Sequence, residues 1–232
     1  MSEQDNQDKQ ANDAGMPSIA PSAGGVRVDR IVTSGTFELD GGSWEVDNNV
    51  WVVGDDKECV IIDAAHDGRK IVKSIDIERR VVAVISTHAH NDHINAVGEV
   101  CDGTRAPAYL HPADRMLWDE LYPVTPDHEL ADGQVVTVGD VDLHVIHTPG
   151  HTPGSCSFYA PALDVVFTGD TLFNGGPGAT GRSYSDFGTI IDSIREKLLT
   201  LPDETVVLTG HGASTVIAAE APHLREWTDR GH

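Results

Sequence analysis

The stretch Val81-Val-Ala-Val-Ile-Ser-Thr-His88-Ala-His90-Asn-Asp92-His93-Ile94 reads as a buried strand that runs straight into four potential metal ligands. In extended backbone, residues two apart face the same side, so His88 and His90 are placed to share one ion. Asp92 and His93 fall where the chain turns into a helix and aim elsewhere. Imidazole and carboxylate suit zinc, iron and manganese, and without a nearby cysteine a closed thiolate site is disfavoured.

Three later segments repeat the arrangement. His151 lies in Thr148-Pro-Gly-His-Thr-Pro-Gly154, Asp170 follows Val165-Val-Phe-Thr-Gly169, and His211 follows Val206-Val-Leu-Thr-Gly210. Each follows an apolar run and has glycine beside it, which lets the backbone turn sharply and brings the ligands to one edge of the sheets.

Short β-branched runs bounded by turn residues predict strands at Val50–Val53, Cys59–Ala64, Val81–Thr87, Ala108–His111, Val135–Val138, Val141–His147, Ser155–Tyr159, Val165–Thr168 and Val206–Thr209. Helices are expected at Arg69–Ile75, Ile94–Val100, Ala113–Leu121, Phe187–Leu199 and Val216–Glu220. This alternation predicts a layered α/β architecture, two packed sheets with helices on their outer faces.

The chain has 232 residues, 39% of them hydrophobic, enough for a sizeable core without disulfides. Cys59, Cys101 and Cys156 are odd in number and widely spaced, so a reducing, cytoplasmic setting is expected. Residues 1–25, polar and acidic with almost no apolar periodicity, are expected to form a disordered tail. They lack the pattern of a secretion signal, and no run is long and apolar enough to span a membrane. A formal charge of −21 opposes binding to phosphodiester backbones, so no nucleic-acid partner is expected.

Together these motifs resemble the metallo-β-lactamase superfamily and, among its branches, the glyoxalase II-like hydrolases, from Val26 to the C-terminus. The resemblance implies a four-layered αββα sandwich over residues 26–232, with the site at the edge between the sheets. It implies that His88, His90 and His151 hold one divalent ion, that Asp92, His93 and His211 hold a second, and that Asp170 bridges them. The early aspartate, Asp63 in Val60-Ile-Ile-Asp63, supports the ligand loop from behind. The two ions are expected to be zinc, with iron or manganese accepted by the same ligands. β-Lactamases of the superfamily generally carry cysteine or serine where this chain has Asp170, which points away from antibiotic hydrolysis.

Two such ions, about 3.5–4 Å apart, lower the pKa of a shared water towards about 7, so a bridging hydroxide is the expected nucleophile, with Asp92 and Asp170 orienting it. A thiolate, with a pKa near about 8.5, leaves without a general acid, so a thioester of a low-molecular-weight thiol, similar to a hydroxyacyl-glutathione, is the expected small-molecule substrate. The loop Gly175-Gly-Pro-Gly-Ala-Thr-Gly-Arg182-Ser-Tyr184 resembles the one that holds the thiol carrier in glyoxalases, although it carries extra residues before Arg182. Arg182 and Tyr184 either grip a substrate carboxylate there, or Arg182 pairs with Asp186 or a neighbour. Compared with long glyoxalase II proteins, whose C-terminal helical region completes the thiol site, a short form taking a different thiol carrier or acyl group is expected. Lactone opening, iron-dependent persulfide oxidation at His88, His151 and Asp170, and a non-enzymatic metal-binding module are the alternatives.

His147 is read as a strand-end residue, and His111 as a capping or supporting one. His66, His128, His144, His223 and His232 are given no role. Cys156 and the tryptophans Trp44, Trp51, Trp118 and Trp227 are read as packing residues, with Trp118 a candidate for the cleft border.

Overall fold

In the computed structural model, which describes residues 16–231, the domain opens with a long hairpin of β1 (Arg27–Leu39) and β2 (Gly42–Gly54). Its turn, Asp40-Gly41, has both residues at positive φ, 51° and 75°, the mirror-image turn whose twist matches that of paired strands. The sheet continues through β3 (Glu58–Ile62), β4 (Arg80–Ile85), β5 (Ala108–Leu110) and β6 (His128–Glu129), in that spatial order. β2 and β3 are antiparallel, whereas β3 to β6 run parallel.

A second sheet is built from β7 (Val135–Val138), β8 (Val141–His147), β9 (Cys156–Ala160) and β10 (Val165–Gly169). After the small ribbon β11 (Leu172–Phe173) and β12 (Gly176–Pro177), β13 (Val206–Thr209) joins β10 in parallel and β14 (Thr215–Val216) ends the sheet. Among the described residues, each of the two main sheets has six strands.

The side-chain period of two sorts β3 between layers: Val60 and Ile62 face the second sheet, packing with Leu143, Phe158 and Phe167, while Cys59 and Ile61 face the helices. That outer layer contains α1 (Gly68–Ser74), α2 (Asn91–Ile94), α3 (Val97–Thr104) and α4 (Arg115–Leu121), which bury Ile71, Ile94, Val100 and Leu117. The second sheet is covered by α5 (Phe187–Ser193), a π-turn at Ile194–Leu198, α6 (Ile217–Glu220) and α7 (Leu224–Arg230). The four-layered αββα sandwich is therefore present. Strands buried on both faces read as unbroken apolar runs, which is why β3, β4 and β10 were visible in the sequence.

Several elements differ from expectation. Strand β1 and helix α7 were not anticipated, and the helix expected at Ile94–Val100 is two helices, Asn91–Ile94 and Val97–Thr104. Of the stretch expected to be a disordered tail, residues 1–15 lie outside the described residues. Residues 16–25 form no helix or strand but are tied to the domain: Met16 and Ile19 pack on the inter-sheet core, while Ser22 Oγ and Gly24 N donate to Asp140 at 2.5 and 2.7 Å. No helix among the described residues is long and apolar enough to cross a membrane.

Hydrogen bonds join the two sheets at the end where the ligand loops emerge. Cys156 N donates to Thr87 O at 2.7 Å, Asn49 N to Gly210 O at 2.8 Å, and Trp51 Nε1 to Thr209 O at 3.0 Å. Gly169 is at φ 49°, and a Cβ there would lie 2.3 Å from Thr87 Oγ1, so the approach of β10 to the β4 loop requires glycine.

Candidate metal centre

The loop after β4 carries His88 and His90, the loop after β8 carries His151, and their ligand atoms lie within 4.8 Å of one another. Asp92 and His93 from α2 and His211 from the loop after β13 form a second group of the same spacing. Asp170, at the end of β10, lies between them: Oδ2 is 3.5 Å from both His151 Nε2 and His211 Nε2, and Oδ1 is 3.4 Å from His93 Nε2. The structure thus gathers all seven predicted ligands at one end of the sandwich.

Three of the five imidazoles are oriented by a partner behind them. His93 Nδ1 meets Asp63 Oδ2 at 2.9 Å, while His151 Nδ1 meets Ala179 O and His211 Nδ1 meets Asp47 O, both at 2.8 Å. Acceptors there keep the proton on Nδ1 and turn the Nε2 lone pair towards the centre. Asp63 also accepts from Thr87 N and Thr87 Oγ1, both at 2.7 Å, so both its oxygens are occupied and it acts behind the ligands.

Burial, reinforced by neighbouring imidazoles, pushes His88 well below its ordinary pKa and His90 down to about 3, so both are neutral donors at pH 7. The second group behaves oppositely. Burial lowers His211, but Asp170 and Asp92 outweigh it and raise the group to about 10; His93 is raised in the same way. Asp170 sits well below the usual carboxylate range because His211 and His93 overcome its desolvation. The pocket between the carboxylates therefore favours positive charge.

Among the described residues, His90 Nε2, Asp92 Oδ1, His151 Nε2 and Asp170 Oδ1 are buried without a hydrogen-bond partner. Leaving such an atom unpaired costs about 1–3 kcal/mol, so four converging orphans fit a site made for cations. Divalent metal would satisfy all four, and the oxygen and nitrogen donors suit zinc, iron or manganese.

Arg182 and Tyr184 are not brought into the centre. Arg182 stacks over Trp44 with its guanidinium carbon 4.1 Å from the ring centroid, and Tyr184 is half exposed at φ 69°. Asp186 does not pair with Arg182; it caps α5 by accepting from Thr189 N at 2.7 Å. Trp44 is thus a rim residue rather than core, beside Phe37, whose ring centroid is 5.3 Å from that of His90. Trp51, Trp118 and Trp227 are buried.

Sequence reasoning missed Asn48 and Asp114 and set His66 aside. Asn48 Nδ2 donates to Asp92 O at 2.9 Å and Asp92 Oδ2 at 3.2 Å, and its Oδ1 meets His66 Nε2 at 2.8 Å. Two asparagines, Asn48 and Asn49, inside a strand of β-branched residues were the available signal, because asparagine is depleted in strands.

His111 caps the turn before α4 by accepting from Ala113 N at 3.3 Å, and its ring stacks on His147 with centroids 4.1 Å apart. Burial and His147 lower its pKa from 6.5 to about 4. The folded protein then binds fewer protons than the unfolded chain between these values, so this residue's contribution to stability falls as pH drops from 6.5 towards 4. His111→Asn, which keeps an acceptor for Ala113 N, is expected to make the acid-side loss of stability shallower than in the wild type, as read from urea unfolding across that window.

A four-layered sandwich with a histidine and aspartate centre at its strand ends defines a metal-binding hydrolase scaffold. Residues 44–211 match the metallo-beta-lactamase superfamily, and the chain belongs to that superfamily. The probable metallo-hydrolase YqgX of Bacillus subtilis is 37% identical over 186 residues, covering 74% of this chain and 88% of the relative. The hydroxyacylglutathione hydrolase GloC of Haemophilus influenzae is 30% identical over 181 residues, covering 72% of this chain and 85% of that protein. Two solved structures are also similar. The BLEG-1 B3 metallo-beta-lactamase is 35% identical with a TM-score of 0.71, over 84% of this chain and 100% of that one. TTHA1623 in a di-iron-bound form is 31% identical with a TM-score of 0.69, over 76% of this chain and 93% of that one.

Proposed function

We propose that the protein is a dinuclear metal-dependent thioesterase that cleaves an acyl thioester of a low-molecular-weight thiol. The observation that carries this reading is Asp170, whose carboxylate lies against both ligand groups, with one oxygen 3.5 Å from His151 and His211 and the other 3.4 Å from His93. A carboxylate there joins His88, His90 and His151 to Asp92, His93 and His211 as holders of two ions. The relative named as a hydroxyacylglutathione hydrolase supports the thioester class.

Two divalent ions, when bound, would supply a water whose pKa is lowered to about 7 and a Lewis acid for a carbonyl oxygen. The chain's own groups organise the rest. Asn48 fixes the Asp92 carboxylate, Asp63 fixes the His93 ring, and the Ala179 and Asp47 carbonyls fix His151 and His211. Phe37 covers the His90 side of the centre, and the hairpin tip meets the 182–184 loop through Asp40, which accepts from Ser183 N at 3.0 Å and Ser183 Oγ at 2.6 Å. These segments form the rim that an acyl group and its carrier would contact. No side-chain acid is needed to protonate a leaving thiolate.

Purified protein loaded with zinc, manganese or iron is expected to release free thiol from at least one member of a panel of acyl thioesters, and metal-stripped protein is not. Lactones and a β-lactam belong in the same panel, the latter because of the name of the 35% identical structure. Turnover of a lactone or β-lactam with no thiol release overturns the thioester reading. A single iron per chain, with oxygen consumption on a persulfide, overturns it in favour of oxidation.

A further inference from the structure

Asp114 is fully buried at the start of α4, a position where aspartate ordinarily accepts from the first N–H groups of its own helix. It makes no such cap. Its carboxylate instead reaches two loops: Oδ2 accepts from Ala89 N at 3.0 Å and Thr152 Oγ1 at 2.7 Å, and Oδ1 accepts from Gly154 N at 2.5 Å. Ala89 lies between His88 and His90, and Thr152 follows His151. One carboxylate therefore joins the two loops that supply the three-histidine group. A Cβ on Gly154 would lie 2.7 Å from Asp114 Cγ and from its backbone N, so the second loop is closed tightly around it.

We propose that Asp114 is a positioning residue that sets the register of His88 and His90 against His151, and so selects for an ion at that group. The assignment rests on the reading of these three histidines as the ligands of one ion. Both oxygens are engaged by donors, so an asparagine must turn its NH2 towards one of those N–H groups and release a loop. The other ligand group, Asp92, His93 and His211, takes its support from Asn48, Asp63 and Asp47 instead, so loss of Asp114 acts on one group only.

Cadmium-113 NMR on the full chain tests this directly. Wild-type protein with two equivalents of cadmium is expected to give two resonances, and His211→Ala identifies the one that belongs to its own group. In Asp114→Asn the three-histidine resonance is expected to broaden or vanish, with cadmium affinity there about 10–100-fold weaker, while the other resonance and its affinity persist. Thr152→Val, which removes one of the three bonds, is expected to weaken the same resonance to a smaller degree. It decides the matter if the Asp114 variant fails to fold. Retention of both sites, or equal weakening of both, in the variants that fold overturns the assignment. Wild-type protein that binds fewer than two cadmium ions overturns the two-ion reading itself, and this assignment with it.

Discussion

Asp170→Ala is expected to retain at most one tightly bound ion per chain and to lose thioester hydrolysis by about 10³-fold or more. Among the described residues, the carboxylate lies within 3.5 Å of histidines from both sides of the centre, so its removal separates the two ligand groups. It also removes the largest negative charge acting on His211 and His93, leaving Asp92, and for His93 also Asp63, as the remaining counter-charges. Asp170 sits at a strand end rather than within the core, so the fold should survive. Elemental analysis paired with a thiol-release assay reads both effects. Full metal content with unchanged turnover in this variant would remove the bridge from the mechanism.

The second large effect is expected at Asp63. Asp63→Ala strands Thr87 N, Thr87 Oγ1 and His93 Nδ1 in the interior, and a combined cost of about 3 kcal/mol corresponds to a fall in Tm of roughly 6–12 °C. Asp63→Asn separates stability from metal binding. Its carbonyl oxygen still accepts from Thr87 N, but its NH2 faces His93 Nδ1, forcing the imidazole proton onto Nε2 and taking that nitrogen out of the ligand set. Thermal unfolding should then change little, while affinity for the second ion falls by about 10–100-fold. Equal losses of Tm in both variants, with metal affinity unaffected in the asparagine form, would reduce Asp63 to a packing role.

The seven candidate ligands were legible because each follows an apolar run and adjoins a turn or glycine, signals that are local in sequence. Asp114 carried no comparable local signal, because its partners Ala89 and Gly154 are 25 and 40 residues away. Strand β1 escaped because, among the described residues, it pairs with β2 alone and its sequence, Arg27-Val-Asp-Arg-Ile-Val-Thr-Ser-Gly, mixes charge with apolar residues as an edge strand does. The Asp40-Gly41 turn was its overlooked marker. Helix α7 is short and owes its place to Trp227, buried at 1% exposure against the second sheet, a tertiary effect that periodicity over seven residues does not reveal. For Arg182 the sequence leaves open carboxylate recognition and pairing with Asp186 or a neighbour; its stacking partner Trp44 lies on the β1–β2 hairpin, so no sequence spacing links the two.

The ligand groups draw on residues far apart in the order of synthesis: His93 and His211, whose ring nitrogens stand 3.1 Å apart, are separated by 118 positions. As the chain leaves the ribosome, the His88–His93 segment emerges first, and the residues that complete each ligand group follow only with the second sheet. The Asp92, His93 and His211 group is therefore incomplete in the nascent protein until β13 has docked beside β10, a parallel, long-range pairing of the kind that forms late. An ion caught early by the His88–His93 segment would meet an incomplete, weaker shell, so the choice of ions for both groups would fall to the finished domain rather than to the growing polypeptide.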